Sequence, residues 1–71
     1  MNIRIEYCVV WNYKPRALSL REDLFLFGSA ELIPSDRGAF EVFKDGELLF
    51  SKLELDRFPN DGEIANLIQG I

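Results

Sequence analysis

The sequence predicts an α/β protein of the α+β two-layer sandwich kind, a four-stranded mixed sheet with both helices on one face, in the order β-α-β-β-β-α. Three observations carry that prediction. Residues 3–7 alternate apolar and polar, the period of a strand in a half-covered sheet. Ala17, Leu20, Leu24 and Phe27 then recur at helical spacing. Further on, Asp45-Gly46 lies between two apolar stretches, a strong signal for a two-residue hairpin turn.

Each element follows from local chemistry. In the first strand Ile3, Ile5 and Tyr7 point one way and Arg4 and Glu6 the other. Asn12 reads as the N-cap of the first helix. Pro15 falls in its first turn, where a missing N–H costs nothing, and Gly28 closes it as the C′ residue. Ala30–Ile33 make a short second strand ended by Pro34, and Pro34–Gly38 is a loop of turn-forming residues. The hairpin register places Val42 opposite Leu49 and Phe43 opposite Leu48. Phe40, Val42 and Leu49 then share one face, and Glu41, Phe43, Leu48 and Phe50 the other. Asn60 and Glu63 have capping-box spacing and open a last helix that carries Ile64, Leu67 and Ile68. A strand, a helix and a second strand in succession imply a right-handed parallel pair.

Composition bounds the function. At 71 residues the chain has room for one core, and each large apolar side chain matters to it. Hydrophobic residues at 48% and charged ones at 28% are ordinary for a folded domain. A formal charge of −4 argues against a general nucleic-acid binder, which needs clustered Lys and Arg. A lone cysteine cannot make an internal disulfide, and without histidine there is no adequate zinc ligand set or serine triad. No apolar run approaches the roughly 20 residues of a membrane span. The opening MNIRIEY is unlike a signal peptide, so a cytoplasmic setting is the default expectation.

In their order along the chain, YCVVWNYKPR, GAFEVFKDGELLFSK and RFPNDGEI resemble the selenoprotein W-like (Rdx) family of small thioredoxin-fold proteins. That family's pattern begins with a Cys, two residues, a second Cys or selenocysteine, and Gly-Tyr-Lys. It continues with Gly-x-Phe-Glu-Val, a short turn with Gly, a strand ending in Ser-Lys, and a Phe-Pro step into the last helix. The resemblance spans nearly the whole chain and implies a minimal thioredoxin-like fold. It also implies thiol redox chemistry, with glutathione as a co-substrate and no bound cofactor. Cys8 matches the first redox residue, and Tyr13 and Lys14 the Tyr-Lys after the pair; Gly38, Phe40, Glu41 and Val42 match the third strand. Trp11 stands in place of the second Cys or selenocysteine, and Asn12 in place of Gly. A two-thiol cycle within the chain is therefore impossible.

Two functions remain open on the residues. In the first, Cys8 is a single catalytic thiol resolved by an external thiol, with Lys14, Arg16 and Arg37 stabilising its anion or a substrate carboxylate. A strand end facing a helix start favours a thiolate, and cations at that end gain the helix nothing. In the second, the chain is a redox-inactive binding module whose loop of Val9, Val10, Trp11 and Tyr13 contacts a protein partner. Cys8 would then be a buried small hydrophobe. Trp11 reads as packing in the place of a second sulfur or as an exposed anchor, and the apolar run Val9-Val10-Trp11 leans towards the anchor. Phe43, Leu48 and Phe50, on the face without helices, read as an interface such as a homodimer's, or as residues tucked under a twisted hairpin.

Overall fold

A computed structural model describes residues 1–70. The strands are β1 (Ile3–Cys8), β2 (Ala30–Ser35), β3 (Phe40–Lys44) and β4 (Glu47–Ser51); the helices are α1 (Lys14–Asp23), α2 (Lys52–Leu55) and α3 (Glu63–Gln69). The sheet order is β2-β1-β3-β4. β1 and β2 are parallel, and the other neighbours are antiparallel. Ile3, Ile5 and Tyr7 of β1 join Phe40, Val42 and Phe50 in one buried cluster with Ala17 and Leu24 from the first helical region and Ile64 and Ile68 of α3. Both α1 and α3 therefore cover the same face of the mixed sheet, the layer arrangement that the alternation in β1 predicts.

The start of α1 differs from the capping expectation. Asn12 has φ 59°, in the left-handed region, and Tyr13 is the residue that flanks the helix. Backbone bonds close this turn instead, from Asn12 N to Val9 O (2.9 Å) and from Tyr13 N to Cys8 O (3.0 Å). Pro15 does fall in the first turn. At its other end α1 stops at Asp23, and Phe25–Phe27 make a 3₁₀ turn. Leu24 is buried there while Phe25 and Leu26 face solvent. Gly28 ends the segment, but with φ 135° and ψ 173° it is not a left-handed C′ residue.

Pro34 does not end β2. The strand continues to Ser35 with Tyr7 opposite Pro34, which is tolerated because β2 has a neighbour on one side only. In the hairpin, Lys44 faces Glu47 and Phe43 faces Leu48, as the two-residue turn requires; beyond that a β-bulge shifts the register and Val42 faces Phe50. Leu49 is the extra residue on β4. This corrects the pairing of Val42 with Leu49, and it moves Phe50 onto the helix-covered face, where it is buried. Phe43, Leu48 and Phe50 therefore do not form one open patch: Leu48 is exposed, and Phe43 is half-buried with the Arg4 guanidinium 4.4 Å from its ring centroid.

The other polar residues of that face are occupied. Arg4 Nε lies 3.2 Å from Glu6 Oε2, an ion pair within one strand. The Glu41 carboxylate is buried; it accepts the Ser51 hydroxyl (2.5 Å) and the backbone N–H of Lys52 (2.9 Å). Ser51 Oγ in turn accepts from Glu54 N at 3.2 Å, capping α2. This single-turn helix was absent from the predicted order, although Ser51-Lys52-Leu53-Glu54 has capping-box spacing. For α3, only half of the predicted box forms. The Glu63 carboxylate accepts from Asn60 N (2.9 Å), but the residue flanking the helix is Gly62 and no side chain caps it.

Candidate functional site

The C-terminal end of β1 places Cys8 at the head of the turn that leads into α1. Its backbone is held on both sides, Cys8 N donating to Ala39 O (2.8 Å) and Cys8 O accepting from Tyr13 N. The residue is fully buried, yet by strand alternation it lies outside the main apolar cluster. Its Sγ accepts one hydrogen bond, from the backbone N–H of Trp11 at 3.4 Å. The thiol is thus enclosed at the base of the turn, with a backbone donor aimed at it.

The side chains of the turn point the other way. Val9, Val10 and Trp11 are 54%, 82% and 61% exposed. One side of the Trp11 ring rests on Gly38, where an added β-carbon would sit 2.9 Å from Cζ3. Gly38 also has φ 74°, so both its backbone and the indole require a residue without a side chain. Trp11 meets Tyr13 edge-on at 6.1 Å between centroids, Tyr13 meets Phe58 at 4.8 Å, and Phe58 meets the buried Phe40 at 5.4 Å. A run of aromatic contacts therefore connects the exposed tip to the core. Such edge-to-face contacts each contribute about 0.5–1.5 kcal/mol beyond burial.

None of the three predicted anion-stabilising cations, Lys14, Arg16 and Arg37, makes a hydrogen bond to the Cys8 sulfur. Arg37 has φ 59°, an almost fully exposed side chain and Asp36 as its ion-pair partner at 3.9 Å. The Arg16 guanidinium lies 3.9 Å from the centroid of Phe58, on the aromatic run. Lys14 is exposed at the start of α1. The hydrogen bond that reaches Sγ comes from the backbone of Trp11.

Residues not singled out in the sequence complete the neighbourhood. Lys52 Nζ lies 5.5 Å from the Tyr13 centroid and 5.3 Å from that of Phe58. Phe58 is positioned by the segment that enters α3. There Arg57 makes a bidentate pair with Glu63 (2.7 and 2.9 Å), and Glu63 also holds Asn60 N. The Arg57 hydrogen bonds, then that of Asn60 N–H, lower the Glu63 carboxyl from 4.5 to about 2, and the Arg57 guanidinium is raised in return. Phe58 follows Arg57 in the Phe-Pro step, a signal that was visible as a motif but gave no partner for its ring. Among the described residues no three His, Cys, Asp or Glu side chains stand together to hold a metal ion, and no helix is long and apolar enough to cross a membrane.

A β1–turn–α1 unit with a cysteine at the strand end, on a four-stranded mixed sheet with its helices on one face, defines a small thioredoxin-like protein. The fold matches solved structures closely. A selenoprotein W-related protein from Vibrio cholerae superposes with a TM-score of 0.87 at 24% identity, over 97% of this chain and 92% of that one. A Bordetella parapertussis protein gives 0.89 at 23% identity, over 97% and 94%. The chain belongs to the Rdx family, whose model matches residues 2–70. A SelT-like protein of Arabidopsis thaliana is 58% identical over 33 residues, which are 46% of this chain and 16% of that longer protein. Trp11 stands three residues after Cys8.

Proposed function

We propose that this chain is a thioredoxin-fold binding module that engages a protein partner through Val9, Val10 and Trp11. The observation that carries the reading is the exposure of three consecutive apolar side chains, 54%, 82% and 61%, at the place where a redox pair would otherwise work. Scattered apolar residues on a surface need no explanation, but a contiguous apolar tip with a tryptophan is the composition of an interface anchor. The supporting thiol is enclosed and lacks a second thiol to resolve it.

The test compares proteins captured from cells by the tagged chain, its Trp11→Ala variant and its Cys8→Ser variant, quantified by mass spectrometry. Partners lost with Trp11→Ala and kept with Cys8→Ser are the expected result. The reverse pattern sinks the binding module and favours the thiol.

A second reading keeps Cys8 as a monothiol with glutathione or a protein thiol as co-substrate. It is favoured by the Trp11 N–H aimed at Sγ, since the same donor would stabilise a thiolate. In this cycle the Cys8 thiolate attacks a disulfide and one thiolate leaves. An external thiol then resolves the mixed disulfide and takes up the new disulfide bond. The turn must open first, because the sulfur is buried. Alkylation rate against pH, in native and unfolded protein, decides this reading. Native reaction well below the pH at which an ordinary thiol ionises supports it; protection at every pH until unfolding removes it.

A further inference from the structure

Three cations near the exposed tryptophan form no ion pair, although Asp23 and Asp61 line the same hollow as Arg16 and Phe58. The chain as a whole is acidic, with a formal charge of −4. Yet Lys14, Arg16 and Lys52 are without a carboxylate partner among the described residues, where the ion pairs are Arg4–Glu6, Arg37–Asp36 and Arg57–Glu63. Arg16 and Lys52 are instead held against the aromatic run that ends in Trp11: Arg16 over Phe58 at 3.9 Å, and Lys52 over Tyr13 and Phe58 at 5.5 and 5.3 Å. Stacking uses the face of a guanidinium and leaves its in-plane N–H donors free, the geometry that takes a carboxylate side-on. A cation already fixed on a ring also loses less freedom when it binds.

We propose that the partner of this loop presents an acidic linear segment, with an apolar side chain against Val10 and Trp11 and carboxylates on Lys14, Arg16 and Lys52. This rests on the binding-module reading and names the chemistry of its partner. Charge complementarity favours this occupant: cations without an ion pair beside an exposed tryptophan attract carboxylates, while the chain's net negative charge disfavours acidic surfaces elsewhere. A single-stranded nucleic acid is the competing polyanion, but it would need open aromatic faces for its bases. Here Tyr13 and Phe58 are half-buried, with the cations themselves lying over their rings, and Trp11 alone is widely exposed.

The experiment pans a displayed library of random dodecapeptides against the purified protein. Recovered peptides and a fluorescein-labelled oligouridine are then measured by fluorescence anisotropy at low and high salt. The variants are Arg16→Glu, Lys14→Glu and Trp11→Ala, each checked for folding by circular dichroism. Lys14→Glu keeps the test decisive should Arg16→Glu disturb the Phe58 stack. Expected are peptides enriched in Asp and Glu beside an apolar residue, weakened about tenfold by either charge reversal and by added salt. Peptides that need Trp11 but ignore both charge reversals would overturn the acidic partner and leave the binding loop standing. Peptides indifferent to Trp11, or no recovered peptide, would overturn both. Oligouridine binding tighter than any peptide would replace the protein segment with nucleic acid.

Discussion

Two connections meet at the Tyr13–Phe58 contact, and they are closed by different means. The turn from β1 into α1 is held by its backbone: Val9 O, Cys8 O and Cys8 Sγ each accept an N–H from within the turn. The segment from α2 into α3 is held by side chains, with Arg57 clamped on Glu63 and Glu63 on Asn60 N. A loop that satisfies its backbone locally has its side chains to spare, and those of Val9, Val10 and Trp11 are turned outward. A loop closed by side chains has spent them on itself. The first connection is built to meet something else; the second is built to hold Phe58 in place.

The most severe way to break this comparison is to remove the floor that both connections share. Phe40 is buried beneath Phe58. Phe40→Ala is expected to cost about 3–5 kcal/mol in urea unfolding. It should also loosen both connections together, read as faster amide exchange in each. Loosening of one alone would show that they are not coupled through the aromatic run.

A smaller effect isolates the first turn. Gly38→Ala forces a β-carbon to 2.9 Å from the Trp11 ring at a φ of 74°. The left-handed backbone alone costs about 1–2 kcal/mol, and the clash adds to it. In a Trp11→Ala background the same change should cost only the backbone part. Equal costs in the two backgrounds would show that the indole is not seated on Gly38 in solution.

The second connection is tested through pH. Glu63 has its folded-state pKa lowered from 4.5 to about 2, so its contribution is fully present above 4.5 and is lost as the pH falls towards 2. Glu63→Gln should lower stability slightly at neutral pH, as for an exposed pair, and flatten the fall in stability across that window. An unchanged acid profile would place the acid-sensitive group elsewhere. The weakest effect belongs to the tip. Val10 is 82% exposed, so Val10→Asp should leave the urea midpoint within about 0.5 kcal/mol of the parent while abolishing partner capture. A large loss of stability would mean that the tip is structural.

Much of the architecture is legible in the sequence because periodicity and turn chemistry agree there. Ile3, Ile5 and Tyr7 fixed the covered face of β1, and Asp45-Gly46 the start of the hairpin register. The bulge was hidden because Leu48, Leu49 and Phe50 are all apolar, so alternation gives no sign of where an extra residue enters β4. That one residue decides which face Phe50 takes. Asn12 misled because Asn favours both an N-cap and a left-handed turn. At the candidate site, the family pattern singled out Cys8 and Trp11, but burial of a thiol at a strand end depends on how the following turn folds back. The cation–ring contacts of Arg16 and Lys52 join residues far apart in the chain, and no spacing reports them.

The bulge has a further consequence, for how this molecule can assemble. A sheet's outer strands are templates on which another chain can add a strand, and native proteins blunt them. Here one margin, β2, carries Pro34, which has no N–H to offer, and the other, β4, is kinked at Leu49 and runs straight into α2. Ribbon-to-ribbon extension is discouraged on both sides, so neighbours are directed away from the sheet's margins and towards the turns.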